Sequence, residues 1–204
     1  MPKIALQAKE MRRRTLIDAA WRCVARGGYR TLTVDDVCTE AGLSKGAFYT
    51  YFGHKQDLLL GLLDDDAAGL GELVADAANQ PSGVEQIRRF VSALVDRGAD
   101  GAAVQLRADL WAEIASEEAV RLRFLEAMQE RRARLAGLIT AAVAAGELVE
   151  VPANALAAVF LALGDGLMLH RVLDPTGFRW SNVRRAVDVL LEGLRPEMPH
   201  ASGG

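Results

Sequence analysis

Between Thr33 and Leu58 the chain reads TVDDVCTEAGLSKGAFYTYFGHKQDL. Thr33 is a good helix N-cap, and Asp36, three residues on, suits the acidic partner of a capping box. Gly42 ends the helix that Thr33 starts. Leu43 and a second N-cap, Ser44, follow at once and open a helix of barely two turns, Lys45 to Phe52. Two helices joined by so tight a glycine-containing turn must cross steeply, which is the helix-turn-helix arrangement. Phe48 and Phe52 are four apart, so they share a face and plug a small core.

Outward from this stretch, 3.6-residue periodicity recurs and no strand-like alternation is sustained, so the chain is expected to be all-α. A first helix over about 7–26 buries Leu16, Ile17, Ala20, Cys23 and Val24. Breakers at Gly27-Gly28, Gly42, Gly53, Asn79 to Gly83, Gly98 to Gly101, Ser116, Gly146 to Pro152 and Asp174 to Gly177 divide the 204 residues into about nine helices. The expected organisation is a three-helix head over 1–54, a bundle of about six helices over 55–195, and a frayed tail over 196–204.

Charge separates the same two parts. Residues 1–55 hold ten Lys and Arg against five acids, whereas the rest holds 14 basic and 22 acidic groups. A head of +5 on a body of −8 points the head alone at a polyanion. A helix entering the major groove needs small residues where its backbone nears the bases, and Gly46 and Ala47 supply them. Lys45 can reach a base edge or a phosphate, and the Tyr49 hydroxyl can donate to a phosphate oxygen. Thr33 and Ser44 also leave helix-terminal N–H groups for phosphates. Arg12, Arg13 and Arg14 form either a backbone-reaching cluster or a solvated face.

Ala41-Gly42-Leu43-Ser44, Gly46, Phe48-Tyr49, Tyr51-Phe52, Lys55 and Leu58 resemble the signature of the TetR family, as do Ala19-Ala20 and Gly28-Tyr29-Arg30-Thr31-Leu32-Thr33. The resemblance covers about 50 residues. It implies a ligand-responsive repressor of transcription, a homodimer on double-stranded operator DNA, with Lys55 on a phosphate. His54 stands where the family more often has a small hydroxyl residue, so it either caps the next helix or contacts DNA. Leu163-Gly-Asp-Gly-Leu167 resembles the C-terminal part of betaine-type regulators in that family.

The larger part offers candidates rather than a motif. Arg107 and Arg131 fall inside apolar arcs, and a buried charge needs a partner. That partner is either an internal acid (Asp109, Glu113 or Asp165) or an acidic group of a small-molecule effector. Trp111, Phe124, Met128 and Phe160 suit the wall of a largely apolar pocket. Asp64, Asp65 and Asp66 are consecutive, point in different directions on a helix and read as solvated rather than metal-binding. In the last two helices Ala158, Ala162 and Gly166 form a smooth face and Val187, Leu190 and Leu194 an apolar stripe. Those suit a four-helix interface between two subunits, with packing inside one subunit as the competing reading.

No phosphate loop, HExxH pair, nucleophile elbow or paired catalytic acids occur, and His54, His170 and His200 lie in unrelated segments. Catalysis, a metal and a cofactor are therefore not expected. Cys23 and Cys38 read as packing residues of a reducing compartment. No apolar run approaches the roughly 20 residues of a bilayer span, so a cytoplasmic protein without a membrane partner is expected. A transcriptional activator or a non-specific DNA binder of the same fold are the alternative readings.

Overall fold

A computed structural model describes residues 2–97, 101–174, 176–177 and 179–196, with side chains for the same residues except 2–5, 70, 97, 101–103, 111, 112 and 172. The expected tail thus lies almost wholly outside the described residues. Among these, every regular element is a helix: α1 (Pro2–Thr31), α2 (Val34–Ala41), α3 (Lys45–Tyr49), α4 (Lys55–Ala78), α5 (Gly83–Arg97), α6 (Gly101–Ser116), α7 (Glu118–Ala144), α8 (Ala153–Leu173) and α9 (Trp180–Glu192). Two ends depart from the sequence reading. The first helix runs on past residue 26, interrupted at Gly28 (φ 78°, ψ 167°), and a new turn follows. The third stops at Tyr49, and Thr50 and Tyr51 close it as turns.

The chain forms two compact units, Met1–Gly69 with Asp100–Ala127, and Leu70–Ala99 with Met128–Gly204. The first gathers α1, α2, α3, the start of α4, α6 and the start of α7 around Leu16, Val24, Val37, Phe48, Leu58, Leu62, Leu106 and Val120. Here α1 packs on both α2 and α6. The second holds the end of α4, α5, the rest of α7, α8 and α9 around Ile87, Phe90, Leu135, Ile139, Phe160 and Leu191, with α5 on α8 and α9. Arg88 of α5 ties this unit together through Glu85, Asp188 and Glu192.

The aspartates of α4 correct their reading as solvated. Asp64 accepts from Arg123 Nε at 2.5 Å, Asp65 from Trp21 Nε1 at 2.7 Å and from Arg14, and Asp66 pairs with Arg107 at 3.0 Å. Consecutive helical positions are about 100° apart, so one short run reaches α7, α1 and α6 in turn. Arg107 thus has an internal ion pair, and its acid Asp66 is one the sequence did not single out for that role.

In α9, Val187 is buried (4%) in the core of its unit, while Val189 (66%) and Leu190 (56%) are exposed; Leu194, just past the end of the helix, packs against that core. Val187 is thus withdrawn from the expected intersubunit stripe, because the helix turns it toward α5. The Ala153–Arg171 stretch of α8 is long and apolar enough to cross a bilayer by length and composition, against the expectation of no such run. Its apolarity is divided between buried Ala157, Phe160 and Met168 and exposed Val159, Leu163 and Leu169.

Candidate nucleic-acid interface

Local chemistry sets the geometry of the helix-turn-helix. Thr33 Oγ1 accepts from Asp36 N at 3.1 Å while Asp36 Oδ2 accepts from Thr33 N at 2.9 Å, a reciprocal capping box. The Thr33 hydroxyl, donating to Asp36 Oδ2 at 2.6 Å, and after it the Thr33 backbone N–H hold the Asp36 carboxyl below its ordinary pKa. Gly42 takes the left-handed conformation (φ 65°, ψ 30°) that closes α2, and Leu43 N bonds back to Cys38 O at 3.0 Å. Ser44 Oγ then accepts from Ala47 N at 3.2 Å and starts α3. Three residues thus turn the chain between two capped ends.

The inner side of α3 is fixed by Phe48, fully buried, edge-on to Tyr49 at 5.4 Å and 5.5 Å from Phe52. With Phe48 turned in, Ser44, Lys45, Gly46 and Tyr49 are exposed and Ala47 half-buried. A Cβ at Gly46 would meet nothing nearer than Ser44 Oγ, 3.8 Å away. The fold itself therefore does not demand glycine there. Lys45 Nζ lies 2.7 Å from Asp35 Oδ1, and that bond raises its pKa.

His54 is exposed, and its backbone N–H donates to Asp57 Oδ2 at 3.1 Å at the start of α4. Lys55 is half-buried over the Tyr29 ring at 4.4 Å, and its Nζ donates to Arg30 O at 3.3 Å. Burial lowers its pKa, against the opposing pull of Glu113 and Asp109. A lysine carries three donors, so this arrangement holds the ammonium in place and leaves hydrogens for a phosphate. Of the arginine cluster, Arg13 lies 5.6 Å from the Phe52 ring centroid and Arg14 bonds Asp18 and Asp65. Arg22 and Arg26 both bond Glu40 at 2.6 Å, clipping α1 to α2. Cys23 and Cys38 are free and buried, and burial pushes both thiols up.

Thr33, Ser44, Lys45, Gly46, Ala47, Tyr49, His54 and Lys55 all lie in the first unit, between the start of α2 and the start of α4. The effector candidates divide: Arg107, Trp111 and Phe124 belong to the first unit, Met128, Arg131 and Phe160 to the second. The Trp111 side chain is outside the described residues, Phe160 and Arg131 are buried, and Phe124 packs partly against the head core. The sequence marks Tyr29 and Arg30 only through the resemblance over Gly28 to Thr33, and Asp109 only as a candidate acid for Arg107; no local signal joins Asp109 to the amides of that turn.

The family described as bacterial regulatory proteins, tetR family, matches residues 16–62, and the BetI-type transcriptional repressor C-terminal family matches residues 83–196. The HTH-type transcriptional repressor AcnR of Corynebacterium diphtheriae is 28% identical over 207 residues, covering 98% of this chain and 100% of that protein. Two solved structures share the fold. The regulator FadR of Bacillus subtilis, in complex with stearoyl-CoA, has a TM-score of 0.73 at 20% identity, over 87% of this chain and 96% of its own. A transcriptional regulator of Saccharomonospora viridis, in complex with choline, has a TM-score of 0.74 at 24% identity, over 90% and 96%. With a head of one kind and a body of the other, this chain belongs to the TetR family of bacterial transcriptional regulators, its C-terminal part being of the BetI type.

Proposed function

We propose that the chain is an operator-specific repressor that binds double-stranded DNA as a homodimer and is released by a small-molecule effector. The observation that carries this reading is the outward row of Ser44, Lys45, Gly46 and Tyr49 on a helix whose other side is locked by Phe48. One helix of five residues reads few base pairs. Two of them, about 34–36 Å apart in a dimer, match successive major grooves.

The second unit supports dimerisation. On α9, Asn182, Arg185, Ala186, Val189 and Leu190 form one exposed, mostly apolar face. Val159, Ala162, Leu163 and Leu169 are exposed on α8, with Ala158 and Gly166 half-buried beside them. An apolar surface of that kind on two adjacent-numbered helices suits an isologous contact with a second copy. The interface so proposed consists of Ala158, Ala162, Gly166 and Leu190, with Val189 added, while Leu194 lies at its inner margin.

The effector's chemical class is open between unlike molecules, since one structural neighbour was solved with stearoyl-CoA and another with choline. By linkage, an effector that lowers DNA affinity is itself bound more weakly by the DNA complex, by the same factor.

The test is a salt-dependent titration of a duplex selected by the wild-type protein from a random-sequence library. Tyr49→Ala and Lys55→Ala should each weaken binding, and Lys55→Ala should lower the salt slope by about one per subunit. Equal affinity for the selected and scrambled duplexes would replace specific regulation with non-specific binding.

A further inference from the structure

Gly28 breaks α1 with φ 78° and ψ 167°, and the chain restarts as a single turn at Tyr29. The first amides of a new helical turn need an acceptor from elsewhere. Here it comes from another helix. Asp109 of α6 is 9% exposed, and its Oδ2 accepts from Tyr29 N at 2.6 Å and from Arg30 N at 3.4 Å. Its Oδ1 accepts from Gln105 Nε2 at 3.3 Å. The approach is so close that a Cβ at Gly28 would stand 2.7 Å from Oδ2.

The same two residues hold Lys55 from the other direction. Lys55 Nζ donates to Arg30 O, its ammonium sits over the Tyr29 ring, and the Tyr29 hydroxyl donates to Lys55 O at 3.4 Å. The ammonium and the backbone carbonyl of Lys55, the first residue of α4, are therefore both held by the turn that Asp109 clamps.

We propose that Asp109 is a positioning residue for DNA binding: by holding the amides of Tyr29 and Arg30 it fixes the turn that presents the Lys55 ammonium to the phosphate backbone. Asp109 itself acts without touching DNA. The inference rests on the reading of α3 and the start of α4 as the DNA-contacting surface. It extends that surface's determinants to a residue some 50 positions away, on a helix outside the head's sequence.

A double-mutant cycle tests it, with fluorescence anisotropy on the selected duplex at several salt concentrations and the active fraction fixed by stoichiometric titration. Asp109→Ala should weaken binding by about tenfold and flatten the salt dependence as Lys55→Ala does. In the Lys55→Ala background the same change should cost less than about twofold, because its route of action is already gone. Asp109→Asn keeps a carbonyl acceptor in place and should recover most of the affinity. Should Asp109→Ala fail to fold, Asp109→Glu, which moves the acceptor by one methylene, enters the cycle under the same criteria.

Losses that multiply in the double variant, or a salt slope left at the wild-type value, would overturn the proposal. A Lys55→Ala variant that binds like wild type fails the DNA-surface reading itself, and does so before Asp109 enters.

Discussion

Adding a methyl group at Gly46 meets no obstacle inside the protein, since the nearest atom to its Cβ is 3.8 Å away and the backbone there is helical. Gly46→Ala should therefore leave stability unchanged or raise it by about 0.5–1 kcal/mol. On the proposed docking of α3 in the major groove it should also weaken binding to the selected duplex, because the methyl group would stand where the bases approach. At Gly28 the signs reverse. Its φ and ψ lie in a region that only glycine occupies readily, and a Cβ there would collide with Asp109. Gly28→Ala should cost about 1–3 kcal/mol of stability. Urea midpoints paired with DNA titrations check both, and undiminished DNA binding by Gly46→Ala would show that no close backbone approach occurs at that position.

The clip between α1 and α2 is electrostatic. Glu40 is held below the ordinary carboxylate pKa first by its bond to Arg22 and then by its bond to Arg26, and Asp36 below it by the two bonds to Thr33. A depressed folded-state pKa contributes stability that is present above the unfolded value and lost as pH falls through the folded one. Stability should thus decline from about pH 5 downward. Glu40→Gln should make that acid limb shallower while changing little near neutrality beyond the lost ion pair. Urea midpoints measured stepwise from pH 7 to 3 give the answer, and parallel limbs for the variant and wild type would remove Glu40 from the acid response. The contrast with Asp109 shows how far such elements were legible beforehand. Thr33 with Asp36, Gly42 and Ser44 act on residues within four positions, so spacing alone exposes them. The Asp109 bond to Tyr29 spans 80 positions and the Asp66 bond to Arg107 spans 41. Nothing local marks which of several acids an arginine or an amide will meet.

Across the whole molecule, the division between a basic head sequence and an acidic remainder was legible because charge needs only to be counted. Which face of a late helix looks outward was not. Along α9 and the turn after it the apolar positions Val183, Val187, Leu190 and Leu194 fit one stripe by spacing, yet within the helix burial follows Val187 and Leu191. Neighbouring residues differ by about 100° around a helix, and a stripe that joins Val187 to Leu190 mixes one buried position with one exposed one. The two classes of position predict opposite failures. Leu190→Glu places a charge on an exposed side chain, so the subunit should keep its helical content and urea midpoint at low protein concentration. It should nevertheless sediment as a monomer, and its binding to a two-half-site duplex should fall to that of a single half-site. Val187→Glu forces the charge into the core between α5 and α9, where an unpaired carboxylate costs several kcal/mol, and should unfold the second unit at any protein concentration. Sedimentation velocity with circular dichroism separates the outcomes. A Leu190→Glu protein that remains dimeric would move the intersubunit contact away from α9, and DNA binding undiminished in a proven monomer would mean that the head reads its site without a partner.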